Sequence, residues 1–194
     1  MNRLALSAGG LVAALALLLV GCGGGLNMNG PFGDSPSGST GSQCSWYPRG
    51  SVGTLGMLSF SNSGGTARID KVTLAHARHL QVVSEWVVRI TGHDLIGVMS
   101  GYPPIGAKGQ GPGFLAPGIH WATRQRADGA KIVHTPYPDA INLVLVLRST
   151  GTKGTAKTVY VDYESGGVKY RLDLAVSIEL FNGNPRGCLS TGTS

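Results

Sequence analysis

The residues with the most chemistry to offer in this chain are three cysteines and five histidines. Cys22 closes an uncharged apolar run, while Cys44 and Cys188 stand far apart in the remainder. His76 and His79 are three positions apart, and His93, His120 and His134 lie elsewhere. On a strand, positions three apart face opposite sides of the sheet, so His76 and His79 could chelate together only if the chain turns there. Met57 and Met99 could add soft ligands suited to copper. The best such set is His93, Met99 and His120, but no tight His/Met cluster forms in the sequence. Hydrolase chemistry fares no better. His93-Asp94, or His134 with Asp139, could in principle serve a serine, yet Gly-x-Ser-x-Gly and Ser-x-x-Lys are both missing. Gly111–Ala116 fits a relaxed Gly-x-Gly-x-x-Ala, but it follows no strand pattern, contains Pro112 and opens no helix. The expectation is a protein with no catalytic residues and no cofactor, with copper carriage as the alternative.

Cys22 points elsewhere. Arg3 precedes a run from Leu4 to Val20 that has no charge and is rich in leucine and alanine. At roughly 17 residues it is short for a spanning helix, and a charged start, apolar middle and small-residue end form a secretory signal. Its close, Leu19-Val20-Gly21-Cys22, resembles the lipobox of bacterial lipoprotein precursors. The resemblance covers the first 22 residues. It implies diacylglycerol on the Cys22 thiol, cleavage before Cys22, and a lipidated N-terminus at the extracytoplasmic side of the cell membrane. Two or more acyl chains hold a protein stably on a bilayer.

Removing residues 1–21 leaves about 173 residues, one domain's worth with a real core. Charged residues make up only 13%, and glycine is abundant at 31 residues. The basic excess, 16 Lys and Arg against 10 Asp and Glu, favours anionic surfaces. No lysine or arginine run and no nucleic-acid motif is present, so nucleic acid is not an expected partner. Outside the cytoplasm the two remaining cysteines are expected to oxidise, giving a Cys44–Cys188 disulfide across the domain.

The elements that must position these residues read as strands. Residues 22–43 are rich in Gly, Ser and Asn and read as a flexible tether with an r.m.s. span of roughly 25 Å. From Cys44 onward, period-two alternation recurs over 53–61, 67–74, 80–90, 158–163 and 168–180, and Ile141–Arg148 is a nearly continuous apolar run suited to a central strand. Glu164-Ser165-Gly166-Gly167 is a hairpin turn, with Tyr160, Val161, Tyr170 and Leu172 offering cross-strand pairs. No segment sustains a helical period. About seven short strands with glycine-rich turns predict an all-β, antiparallel, immunoglobulin-like β-sandwich over residues 44–190, followed by a tail at 191–194. In outline this is similar to secreted, uncharacterised immunoglobulin-like β-sandwich proteins of bacteria.

Between Leu95 and Ile119 the alternation lapses although apolar residues persist. Loops this long inside a compact domain are usually functional or disordered, and this one is too apolar for simple disorder. One reading packs it across a sheet end; the other makes it a recognition surface. Tyr102 and Phe114 are its candidate anchors, with Trp121, Arg124 and Arg126 beside them. Arg124, Arg126 and Lys131 flank Asp128-Gly129 and read as a solvated basic hairpin. The expected role is a non-catalytic binding or accessory module of the cell envelope, meeting an envelope protein or glycan.

Overall fold

The structure is a computed structural model that describes residues 26–34, 41–104, 115–184 and 186–188. The expected signal peptide, Cys22, Phe114 and the 191–194 tail lie outside the described residues.

Eleven strands are present among the described residues, rather than about seven. They are β1 (Phe32–Asp34), β2 (Gly41–Tyr47), β3 (Gly53–Asn62), β4 (Ala67–Ala75), β5 (Leu80–Ile90), β6 (Val98–Ser100), β7 (Gln125–Arg126), β8 (Lys131–Ile132), β9 (Ala140–Ser149), β10 (Lys153–Ser165) and β11 (Val168–Asn182). The only helical element among them is the 3-10 turn Trp121–Thr123. One sheet has the order β1-β3-β9-β5-β7, with β6 also on β3; the other has the order β2-β11-β10-β4-β8. An immunoglobulin constant-type domain places its first, second, fifth and fourth strands in one sheet and its third, sixth and seventh in the other. Here β1-β3-β9-β5 and β4-β10-β11 reproduce that order, so the chain is an all-β, immunoglobulin-like sandwich. Residues 91–139, which hold β6, the 3-10 turn, β7 and β8, are an insertion between its fourth and fifth strands.

Alternating side chains explain the core. Leu143, Leu145 and Leu147 of β9 pack with Leu55, Leu58 and Phe60 of β3, Val159 and Val161 of β10, and Val176 and Ile178 of β11. The β10–β11 hairpin turns through Gly166 and Gly167, both at positive φ (58° and 78°), the geometry a two-residue hairpin turn requires. Val161 pairs with Leu172 as the alternation predicts, whereas Tyr160 lies opposite Asp173 and Tyr170 opposite Tyr163.

The tether reading of 22–43 fails where those residues are described. Phe32 is buried, stacks on Tyr163 with ring centroids 3.8 Å apart, and donates its backbone N–H to the Tyr163 hydroxyl at 3.1 Å. Burial pushes the Tyr163 phenol up, and this hydrogen bond works against that shift. Asn27 pairs with the edge of β11, donating to Lys169 O (3.2 Å) and accepting from Arg171 N–H (3.0 Å). β1 then pairs with β3, and β2 returns to the β11 edge in the fold's one parallel pairing among the described strands. A glycine-rich composition concealed this because glycine is needed here. A Cβ on Gly30 would run into the Tyr163 and Tyr170 side chains, and only glycine allows that approach.

Cys44 of β2 and Cys188, just beyond β11, form the expected disulfide, with Cα atoms 5.6 Å apart and a sequence separation of 144. It fastens the parallel edge strand to the chain's exit. Closing so long a loop stabilises by about 4–5 kcal/mol in the chain-entropy model, and measured bridges typically give about 2–4 kcal/mol. Denaturant unfolding of the Cys44→Ser/Cys188→Ser variant should show a loss of about 2–5 kcal/mol. Phe32→Ala should cost about 3–5 kcal/mol as a core truncation, whereas a residue in a free tether would give no change in the same measurement.

Candidate functional site

In a two-sheet sandwich a strand normally buries one face. β9 is buried on both: apart from Arg148, every one of its residues is buried. The reason is the insertion. Ile96, Met99, Ile119 and Trp121 lie over the outer face of the β3-β9-β5 sheet and bury Val88, Ile90, Ala140 and Val144 in a second apolar layer. The segment expected to cross a sheet end instead covers a sheet face.

Asn142 fixes this layer. It points outward from β9 and is fully buried. Its Oδ1 accepts the Ile96 N–H at 3.0 Å, and its Nδ2 donates to Leu58 O at 2.7 Å and to Gly56 O. Gly56 sits where the β3–β9 register shifts between Leu55 and Leu58, at a bulge whose carbonyls the ladder leaves over. A Cβ on Gly56 would collide with Ile96, so glycine permits the insertion to lie against β3. The insertion's ends are drawn together by an Arg89–Asp139 ion pair at 2.9 Å, and Gly118 N–H is held by Asp94 Oδ2 at 3.2 Å.

On this layer the structure gathers four of the five expected contact residues, Phe114 lying outside the described residues. Tyr102 stacks nearly parallel to Trp86 (centroids 6.1 Å, 11°) and meets Trp121 edge-on at 6.1 Å. The Arg124 guanidinium lies between two indoles, 5.2 Å from the Trp86 ring centre and 4.9 Å from that of Trp121. Arg126 lies over Trp86 at 5.0 Å and pairs with Glu85 at 3.4 Å. The result is a ladder of alternating cations and rings, each contact contributing about 0.5–1 kcal/mol when exposed and more when desolvated.

Trp86 belongs to this ladder and was read only as a strand residue. Its signal was present: Trp86, Val88 and Ile90 are apolar on the same side of β5 as Val144 of β9, while Val87 faces the main core. Apolar residues on both sides of one strand announce a second cover. The basic patch also differs from its expected form. β7 pairs with β5 and β8 with β4, so the strands flanking Asp128-Gly129 belong to different sheets and form no hairpin. Lys131 is carried to the opposite sheet, away from the ladder.

Beside the ladder runs an open groove of ≈ 840 Å³ walled by Pro103, Leu115, Pro117, His120, Trp121 and Arg124. Arg124 donates through Nη1 to Trp121 O at 3.3 Å, whereas its buried Nε has no acceptor among the described residues. The groove therefore combines apolar walls, an indole and a guanidinium.

The alternative metal ligands are placed differently. Met99 is buried in the apolar second layer, His93 rests by the Tyr137 ring (5.8 Å), and His120 is exposed before the 3-10 turn. A metal at Met99 would have to open that layer. His76 and His79 lie in a turn, both at positive φ (52° and 51°). Among the described residues no group of three or more His, Cys, Asp or Glu could hold a metal ion.

Set against known proteins, the chain matches no family model and no curated protein, so its chemistry rests on its own residues.

Truncating Asn142 leaves three buried backbone groups, two on β3 and one on the insertion, unsatisfied, each costing about 1–3 kcal/mol. Asn142→Ala should lower thermal stability by about 3 kcal/mol or more on that basis. Asn142→Leu, which restores bulk but no hydrogen bond, should not recover it in the same melts.

Proposed function

We propose that this chain is a lipid-anchored, extracytoplasmic, non-catalytic binding module of the cell envelope, and that its contact face is the aromatic and arginine ladder with the adjoining groove. The observation that carries this reading is Arg124, held between Trp86 and Trp121 at the groove wall. Preorganised aromatic and arginine side chains recur where binding energy concentrates. A guanidinium at a groove wall suits a ligand carrying oxygen acceptors, as an envelope glycan or a protein segment does. Flat indole and phenol faces supply apolar contact at low entropic cost. The lipobox-like Leu19-Val20-Gly21-Cys22 supports attachment through Cys22, and the Cys44–Cys188 bridge suits an oxidising compartment.

The test is photo-crosslinking in the native envelope. A photoreactive residue at Tyr102 should give a discrete adduct that Arg124→Ala abolishes while the domain still melts cooperatively. The same group at Val83, on the far part of β5, should give none. Adducts that are identical at both positions, or unchanged by Arg124→Ala, would remove the binding role from this face.

A further inference from the structure

Six large hydrophobic side chains are exposed among the described residues, and four of them, Met28, Val133, Tyr137 and Val168, are 53%, 56%, 70% and 45% exposed. The topology puts these four at one end of the sandwich. Val168 opens β11 at the hairpin turn, opposite Ser165. Ser165 is level with Ala67, and Ala67 with Ile132, so Val133 continues past the same end. Tyr137 lies in the connection that crosses from β8 to the start of β9, whose Thr135 bridges to Asn62 at the end of β3. Met28 follows Asn27, which is paired to β11 between Lys169 and Arg171. Lys131 and Lys169 are exposed around the group.

The chain enters the fold at this same end. Asn27 is five residues beyond Cys22, and five extended residues reach at most about 18 Å. A tether over the whole of 22–43 would have let the domain turn freely. Pairing of Asn27 to β11 instead ends the slack almost where it begins.

We propose that this end of the sandwich rests on the membrane, with Met28, Val133, Tyr137 and Val168 at the headgroup boundary and Lys131 and Lys169 against anionic lipid phosphates. The inference rests on the anchoring of Cys22 proposed above. A second, weak membrane contact becomes effectively intramolecular once the first is made, so a few partly inserted side chains suffice to set orientation. The β3-β9-β5 face, with its ladder, then stands roughly upright on the bilayer and looks sideways along it, toward partners held at the same height.

The test uses the protein as purified from its native membrane, returned to vesicles of phosphatidylethanolamine and phosphatidylglycerol. With Cys22 acylated and Cys44–Cys188 bridged, a cysteine introduced by Val133→Cys, Tyr137→Cys, Val168→Cys or Val83→Cys is the thiol that takes a fluorophore. A nitroxide lipid should quench the first three and leave the Val83 position bright. These are exposed positions, and the unfolding midpoint of each labelled variant checks its fold. Flotation of the protein with the vesicles but equal quenching at all four sites, or none at the first three, overturns the docking alone. Failure to float overturns the anchor and the docking together.

Discussion

One buried side-chain amide holds the distinctive part of this molecule together. Asn142 stands on the outer face of β9, where a solvated position would be expected in a two-sheet sandwich. Its partners lie on β3 and on the insertion. A buried amide is costly unless satisfied, and here each polar atom finds a backbone group that would otherwise be orphaned. The bulge in β3, the glycine at position 56 and the path of the insertion are therefore mutually required. The ladder depends on them, because Tyr102 and Trp121 are carried by the segment that Asn142 fastens.

The N-terminal segment supplies the second constraint. Asn27 covers one part of the β11 edge and β2 covers another, while β1 covers part of β3. Unpaired edges invite pairing with other chains, so one crossing segment protects both sheets, and the disulfide locks its far part. Phe32 seals the end between the sheets. The same arrangement that closes the core sets where the N-terminal segment joins it.

Much of the sandwich was legible because strands with one buried face alternate. β4, β10 and β11 follow that pattern, and the continuous apolar run of β9 marked a central position. That run also carried information about the second layer, since burial of Val144 as well as Leu143 needs cover on both sides. What stayed hidden has physical reasons. β6, β7 and β8 are two or three residues long, too short for any period to register. Phe32 is a single aromatic among glycines, and its burial comes from Phe60 on β3 and Tyr163 on β10, neither of which is local in sequence. Asn142 interrupts a leucine and valine run, and nothing local says whether such an amide is exposed or satisfied. Tyr102, Trp121, Arg124 and Arg126 were identified by type and proximity, whereas Trp86 joins them only through the outer face of β5.

The central claim is that the insertion is a fixed second layer presenting a preformed face, and native-state hydrogen exchange at the Ile96 amide tests it most directly. If Asn142 fastens the insertion, the Ile96 N–H exchanges only through openings nearly as costly as those that release the β9 amides, and Asn142→Ala collapses its protection while the β10–β11 amides keep theirs relative to the variant's own global stability. Exchange of Ile96 at the rate of an unstructured loop in the unaltered protein would contradict the claim, and with it the preformed ladder.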